Sequence, residues 1–498
     1  TRLHDSAYRS LSHRGRRCCL QQRKPREPRG FLRRCRELQV EDRLLAAHLT
    51  RRAQPHYHSK SRKAMIAQFL IGGTSSGGGK TTLTTGLLRL LRNRGYRVQP
   101  FKCGPDYIDP QYHKMASGRV SINLDNWLAS GEHLQNLYAR HSQEADISVT
   151  EGVMGLFDGY KGMEGSSARI AELLDLPILL VVNAQSTAFS VAATLYGFSR
   201  FYPKIRLLGV VFNKVASPRH YAFLQEAASA AKVPCLGYIP RMEELSVPSR
   251  HLGLTLDAQL DFDAYADRIA ETLEKYVEVD RLLELCATQA LAPTLTADTP
   301  KETLRISVAK DEAFNFTYQA NLDQLQRLGS VSYFSPLTDS SLPPSNLVYI
   351  PGGYPEFFLP QLAQNRQLQE EIRDYVASGG KLLAECGGMM YLCRSITDEK
   401  GVSYPMVDIL PQEATMQNMR LHLGYRTLTI QGQEPWQGHE FHYSSIVTPH
   451  EPIFNYASSV KDARGNDVET PLYRIKNCIA GYTHLYWGER NILDLWNA

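Results

Sequence analysis

Gly73-Thr74-Ser75-Ser76-Gly77-Gly78-Gly79-Lys80-Thr81-Thr82 stands between the apolar run Ile66 to Ile71 and a stretch whose Leu83, Leu87, Leu90 and Leu91 share one helical face. A strand, a glycine-rich loop and a helix in that order bring bare backbone amides and the positive end of a helix dipole to one point. Polyphosphate fits there. Lys80 can reach β- and γ-phosphate oxygens, and the Thr81 hydroxyl can join Mg²⁺. Against the common spacing GxxxxGK[ST], Thr74 occupies the first glycine position, and Gly73 one place earlier makes a lengthened variant. The predicted nucleotide contacts are Thr74, Ser75, Gly77, Gly79, Lys80, Thr81 and Thr82.

Working outward, Ile147 to Thr150, Ile178 to Val182 and Leu208 to Phe212 also read as buried strands between helical patterns. Such alternation predicts an α/β fold: a parallel sheet covered by helices on both faces, with ligands at the carboxyl ends of its strands. The helix after Lys80 should stop near Gly95, a suitable C-terminal breaker. A helical region from Ala264 to Ala287 gives way to a Thr-, Ala- and Pro-rich linker. A second α/β series follows at Arg305 to Ala309, Leu347 to Ile350 and Lys381 to Ala384, with antiparallel additions expected beyond Gly424. The expected organisation is a basic extension over 1–64, an ATP-binding domain over 65–287, a linker over 288–304 and a second α/β domain over 305–498.

The chain has 498 residues, 43% of them hydrophobic and 21% charged, which suits two folded cores better than one. Its formal charge of +5 is misleading as a sign of nucleic-acid binding. Residues 1–64 hold 18 Lys and Arg against 5 Asp and Glu, so the remainder holds 38 against 46 and is acidic. No nucleic-acid or membrane partner is expected. The extension is read as disordered upstream sequence, because Met65 stands directly before the first strand; an organelle transit peptide and a nucleic-acid arm are the competing readings. Nine cysteines form neither a CxxC pair nor a compact framework, and no apolar stretch reaches the ~18 residues that cross a bilayer. A reduced, cytoplasmic protein fits, and a homodimer is compatible with it.

Glu151, after the strand Asp146 to Thr150, should emerge beside the loop as a second magnesium contact. Lys102-Cys103-Gly104-Pro105-Asp106-Tyr107-Ile108-Asp109-Pro110 brings one cation and two carboxylates to the same edge. Asp106 could hold metal while Lys102 stabilises transferring charge. Asn213-Lys214, directly after the strand Leu208 to Phe212, is positioned to border the base, which adds Asn213 to the nucleotide contacts.

Glu385-Cys386-Gly387-Gly388-Met389-Met390 is a nucleophile elbow: a sharp strand-to-helix turn that exposes a side chain and tolerates little bulk beside it. Cys386 is the candidate nucleophile, with Gly387 and the Gly352-Gly353 turn as oxyanion donors. A thiol at its ordinary pKa is mostly protonated near neutrality, so an imidazole is needed. His439, His442 and His484 are the candidates, and spacing does not choose among them.

Taken in order, GTSSGGGKTT at Gly73 to Thr82, KCGPDYIDP at Lys102 to Pro110, NLDNW at Asn123 to Trp127 and EGVMGLFDG at Glu151 to Gly159 strongly resemble the cobyrinate a,c-diamide synthase family of glutamine-dependent amidoligases. PRMEELSVPSRHLGL at Pro240 to Leu254, AKDEAFNF at Ala309 to Phe316, PGGYPE at Pro351 to Glu356 and ECGGMMYL at Glu385 to Leu392 extend the match over nearly all of residues 66–498. The resemblance implies a dethiobiotin-synthetase-type ATPase joined to a class I glutamine amidotransferase. It implies ATP- and Mg²⁺-dependent amidation of the a and c carboxylates of cobyrinate or a related tetrapyrrole, with glutamine as nitrogen donor. It also implies His484 as the base, Thr81, Glu151 and Asp106 around Mg²⁺, and Lys102, Tyr107, Asp109 and Asn123 near substrate. Many class I amidotransferases carry Glu two residues after this histidine, where this chain has Tyr486, so the third triad member is open. Cobyric acid synthase, the cobalt-free substrate hydrogenobyrinate, a nickel tetrapyrrole substrate and a ParA-like ATP switch are the rival readings; the switch leaves Cys386 without a role.

Overall fold

The computed structural model describes residues 65–242, 261–289, 304–447 and 455–497. The expected disordered extension, part of the Pro240 to Leu254 motif and most of the expected linker lie outside them. Lys63–Ala498 forms one compact unit.

Its first sheet contains β1 (Met65–Gly73), β2 (Val98–Cys103), β3 (Ile122–Leu124), β4 (Ile147–Glu151), β5 (Ile178–Asn183), β6 (Leu207–Val215) and β7 (Cys235–Pro240), in the order β3-β2-β4-β1-β5-β6-β7. Every pairing on that path is parallel. Two hydrophobic clusters lie on its two faces because successive strand residues point opposite ways: Leu180 and Val182 join one cluster, Leu179 and Val181 the other. The helix Lys80–Asn93 buries Leu83, Leu87, Leu90 and Leu91 as its periodicity predicts, and the chain turns at Gly95 with φ 87°.

The linker begins later than expected. β8 (Ala287–Gln289) runs antiparallel to β1, with Thr288 opposite Ile66, and the helical region before it is two helices, Phe262–Tyr276 and Val279–Cys286. Pairing with the start of the first strand has claimed residues whose composition alone reads as a loop. At the other end, Leu304 already belongs to β9 (Leu304–Ala309).

The second large sheet continues with β10 (Gly329–Phe334), β11 (Leu347–Ile350) and β12 (Lys381–Glu385), ordered β10-β9-β11-β12 and then Cys478–Gly481 and Leu472–Ile475. The join from β12 to Cys478–Gly481 is parallel, and only the last strand is antiparallel. The small sheets expected beyond Gly424 start earlier, at Cys393–Thr397, which pairs antiparallel with Ser403–Pro405. Among the described residues no helix is long and apolar enough to cross a membrane, and six cysteines are free thiols.

Candidate active site

The loop after β1 is shaped by backbone geometry that only glycine takes easily. Gly79 has φ 103°, and a Cβ there would lie 1.9 Å from Asn213 Nδ2. Asn213 donates from that nitrogen to Gly78 O at 3.0 Å, so β6 supports the loop from beneath. Ser75 and Gly77 are exposed and Thr74 is half-buried, while Thr82 is buried in the helix behind. Lys80 donates to Met154 O at 2.5 Å and to Ser75 O at 3.3 Å, which folds the EGVMGLFDG segment over the loop.

Beside it lies a buried charge cluster assembled from two strand ends, two helices and the loop that carries Asp106. Thr81 Oγ1 donates to Glu151 Oε1 at 2.8 Å and lies 3.5 Å from Asp109 Oδ2. Glu151 is the last residue of β4 rather than the residue after it. Lys102 Nζ sits 2.6 Å from Asp109, 3.0 Å from Glu151 and 3.8 Å from Asp106. Burial alone would lower Lys102, but those three carboxylates hold it above the usual lysine range. Burial likewise pushes Glu151 up, and Lys102, His113 and Thr81 overcome it, leaving Glu151 well below the ordinary carboxylate range. His113, not anticipated from sequence, lies with Nε2 2.7 Å from Glu151 Oε2 and Nδ1 3.0 Å from Ser121 Oγ. Its spacing of four from Asp109 on the helix Asp109–Ser117 was the available signal, since residues four apart share a helix face.

The expected roles of the two loop aspartates differ in geometry. Asp106 Oδ1 accepts from the amides of Ile108 and Asp109, both at 2.9 Å, and so closes the start of that helix. Asp109, expected near substrate, is the carboxylate beside Thr81. Asn123 donates to Gly104 O and Asp106 O at 3.0 and 2.8 Å, so its amide group holds the loop. Among the described residues no group of three or more His, Cys, Asp or Glu is arranged as a self-sufficient metal site. The hard oxygens of Thr81, Glu151 and Asp109 still suit Mg²⁺, which takes most of its ligands from phosphate and water.

In the second half, Cys386 follows β12 with φ 50° and ψ −111° and opens the helix Gly387–Leu392. The thiol carbon sits on a strained turn, as the elbow motif predicts. A Cβ on Gly388 would meet Ile350 O at 2.2 Å, and one on Gly387 would lie 2.7 Å from Pro355 Cδ and 3.2 Å from Gly353 N. The Gly353 and Gly387 backbones are therefore neighbours beside the cysteine. Cys386 Sγ is buried 3.6 Å from Phe441 O. Burial first, then Glu356, Glu440 and Glu385, push its thiol above the usual range.

The three histidines separate by environment. His442 stacks on Tyr482 with centroids 3.6 Å apart, and its Nδ1 donates to Ser444 O at 2.9 Å. His439 and His484 are paired across adjacent strands and face the same way. Burial pushes both down to about 3, so each is a neutral imidazole near pH 7. Both ring nitrogens of His484 are buried without a hydrogen-bond partner, as is Nδ1 of His439. The ring of His484 lies 4.7 Å from that of Tyr107, which reaches across from the first half.

The two halves meet over polar contacts as well: Tyr107 OH donates to Tyr318 OH at 2.5 Å, Tyr425 OH to Asp125 Oδ2 at 2.7 Å, and Ser130 Oγ to Glu489 Oε2 at 2.6 Å. Tyr486, two residues after His484, has its OH 2.9 Å from His133 Nε2.

Family comparison agrees with this two-part arrangement. The CobQ/CobB/MinD/ParA nucleotide binding domain matches residues 69–254, and the CobB/CobQ-like glutamine amidotransferase domain matches residues 305–492. The chain is 40% identical over 435 residues to the hydrogenobyrinate a,c-diamide synthase of Brucella anthropi, covering 85% of this chain and 99% of that protein. It is 39% identical over 440 residues to the cobyrinate a,c-diamide synthase of Priestia megaterium, covering 84% and 94%. The cobyrinate a,c-diamide synthase of Salmonella typhimurium is 38% identical over 449 residues, covering 86% and 97%. Identity at that level, sustained along nearly the whole of each relative, means that the chain belongs to the cobyrinate and hydrogenobyrinate a,c-diamide synthase family.

Proposed function

We propose that this protein is an ATP- and Mg²⁺-dependent amidoligase that converts the a and c side-chain carboxylates of cobyrinate, or of its cobalt-free counterpart, into amides with nitrogen from glutamine. One observation carries the reading: a phosphate loop and a cysteine elbow share one compact unit, with the ring of His484 packed on Tyr107 of the phosphate-site segment.

A carboxylate is a poor acyl donor because oxide is a poor leaving group. Transfer of the ATP γ-phosphoryl group to a substrate carboxylate oxygen gives an acyl phosphate and ADP; ammonia then displaces phosphate to leave the amide. Lys80 and the amides of residues 74–79 bind the polyphosphate, and Lys102 offsets charge that develops on the transferring group. Thr81, Glu151 and Asp109 would hold Mg²⁺, which would supply charge neutralisation at the phosphate. Asp106, Asp109 and Glu151 outnumber the Lys102 cation among them, and that excess negative charge supports a divalent ion.

In the other half, Cys386 attacks the glutamine side-chain carbonyl while its proton passes to His484 and on to the leaving nitrogen. Ammonia departs, and water hydrolyses the glutamyl thioester. Gly353 and Gly387 amides receive the oxyanion. Both resting groups are neutral, since the thiol is raised and the imidazole lowered, so the thiolate arises only as attack proceeds.

The test gives the purified full chain ATP, Mg²⁺ and each candidate tetrapyrrole, with glutamine or ammonium, and identifies products by mass. Cys386→Ala is expected to lose glutamine use and keep ammonium-driven synthesis. Lys80→Ala should lower both by about 100-fold or more. ATP hydrolysis with no tetrapyrrole consumed under any condition would point to an ATP switch instead.

A further inference from the structure

A catalytic histidine is ordinarily held in orientation by a hydrogen bond from its second nitrogen to a carboxylate or carbonyl. His484 has no such partner on either nitrogen. The nearby acid, Glu385, spends its oxygens elsewhere: Oε1 accepts from Leu485 N at 2.9 Å and Oε2 from Tyr349 OH at 2.7 Å. Position 486, two residues on, is a tyrosine turned to His133 of the other half.

What restrains the imidazole is therefore shape. Gly352 lies close against the ring, and even a Cβ there would come within 2.2 Å of His484 Cε1. The ring of Tyr107 also packs on it, 4.7 Å away and tilted by 32°. Tyr107 is itself fixed: it stacks on Phe316 at 5.1 Å and 12°, and its hydroxyl donates to Tyr318. In sequence it stands between Asp106, which closes the following helix, and Asp109, which pairs with Lys102 beside Thr81.

We propose that Tyr107 is the positioning residue for His484, its aromatic face taking the place of the missing triad acid, so that the segment lining the phosphate site aligns the glutamine-hydrolysing base. This inference deepens the proposed function and rests on it. It makes glutamine cleavage depend on the first half through one side chain, which ties ammonia release to the half that consumes it. The hydroxyl matters less than the ring, because it contacts Tyr318 and not His484.

The experiment follows glutamate release by the full chain with Tyr107→Phe, Tyr107→Leu and Cys386→Ala, alongside thermal melts. Tyr107→Leu is expected to lower kcat for glutamate release roughly 10- to 100-fold, as misorientation of a catalytic group does, with KM for glutamine little changed. Tyr107→Phe should retain activity within about 3-fold, because the ring stays. If Tyr107→Leu does not fold, Tyr107→Met keeps volume without an aromatic face and carries the same expectation. Normal kcat in the folded non-aromatic variant, a loss confined to KM, or a Phe variant as impaired as Leu would each overturn the positioning role. Glutamate release surviving in Cys386→Ala would instead overturn the parent reading, so the two failures are separable.

Discussion

At the scale of single residues, the cysteine elbow holds a thiol that its surroundings keep protonated. After burial, the largest contribution to raising Cys386 comes from Glu356, itself pushed up to about 7 by burial. A lower thiol pKa means more thiolate at any pH below it, so removing this carboxylate should speed alkylation. Glu356→Gln is expected to raise the iodoacetamide rate at Cys386 by up to about 10-fold at pH 8, the change in thiolate fraction for one unit of pKa. At pH 6, where Glu356 already carries its proton, parent and variant should react alike. Equal rates at both pH values would show that Glu356 does not act on the thiol. The motif made Cys386 legible from sequence, because an elbow is a local event of strand, turn and small neighbours. Glu356 and His113 were not legible as participants: each acts on a residue tens of positions away, and only the fold supplies that proximity.

Elements show the same division between local and distant causes. β5 and β6 could be read from apolar runs because both faces of a parallel strand are covered. β10 could not, since Gly329–Phe334 is an edge strand with mostly exposed or half-buried residues and no continuous run. Where two elements press together, substitution tests the contact directly. A Cβ at Gly86 would lie 2.3 Å from Ile269 Cγ2, so Gly86→Ala should destabilise by about 1–3 kcal/mol in chemical denaturation, despite alanine's better helix propensity. Stabilisation by that variant would mean that the Lys80–Asn93 and Phe262–Tyr276 helices can separate freely. At the end of β12, burial pushes Glu385 up to about 8, above the ~4.3 of an unfolded chain. Below pH 4 both states are protonated; as pH climbs toward 8 the unfolded chain releases this proton first, so the folded state loses stability across that window. Glu385→Gln removes the titration while keeping an acceptor for Leu485 N. Its melting temperature relative to the parent should therefore climb between pH 5 and pH 8, and a flat difference would remove Glu385 from the account.

Over the whole molecule, the two sheets are distinct in topology but not in packing. Phe316, Tyr318, Ala320, Tyr354 and Tyr486 of the second half belong to the same buried cluster as Leu70, Phe101 and Leu180 of the first. The sequence marks a boundary where composition changes, yet that boundary concerns chain connectivity, whereas cooperativity follows shared burial. Halves joined by a common apolar core should unfold together. Three of the four tryptophans, Trp436, Trp487 and Trp496, lie in the second half, so fluorescence reports mainly that half, while nucleotide binding reports the first. The two signals are expected to vanish at one denaturant midpoint in the parent chain. Tyr318→Ala, which truncates a fully buried ring and removes the partner of Tyr107 OH, should cost about 3–5 kcal/mol and move both midpoints downward together. A shift in fluorescence alone, with nucleotide binding holding to its original midpoint, would mean that the halves are independent bodies and that alignment of His484 by Tyr107 can be lost while both halves stay folded.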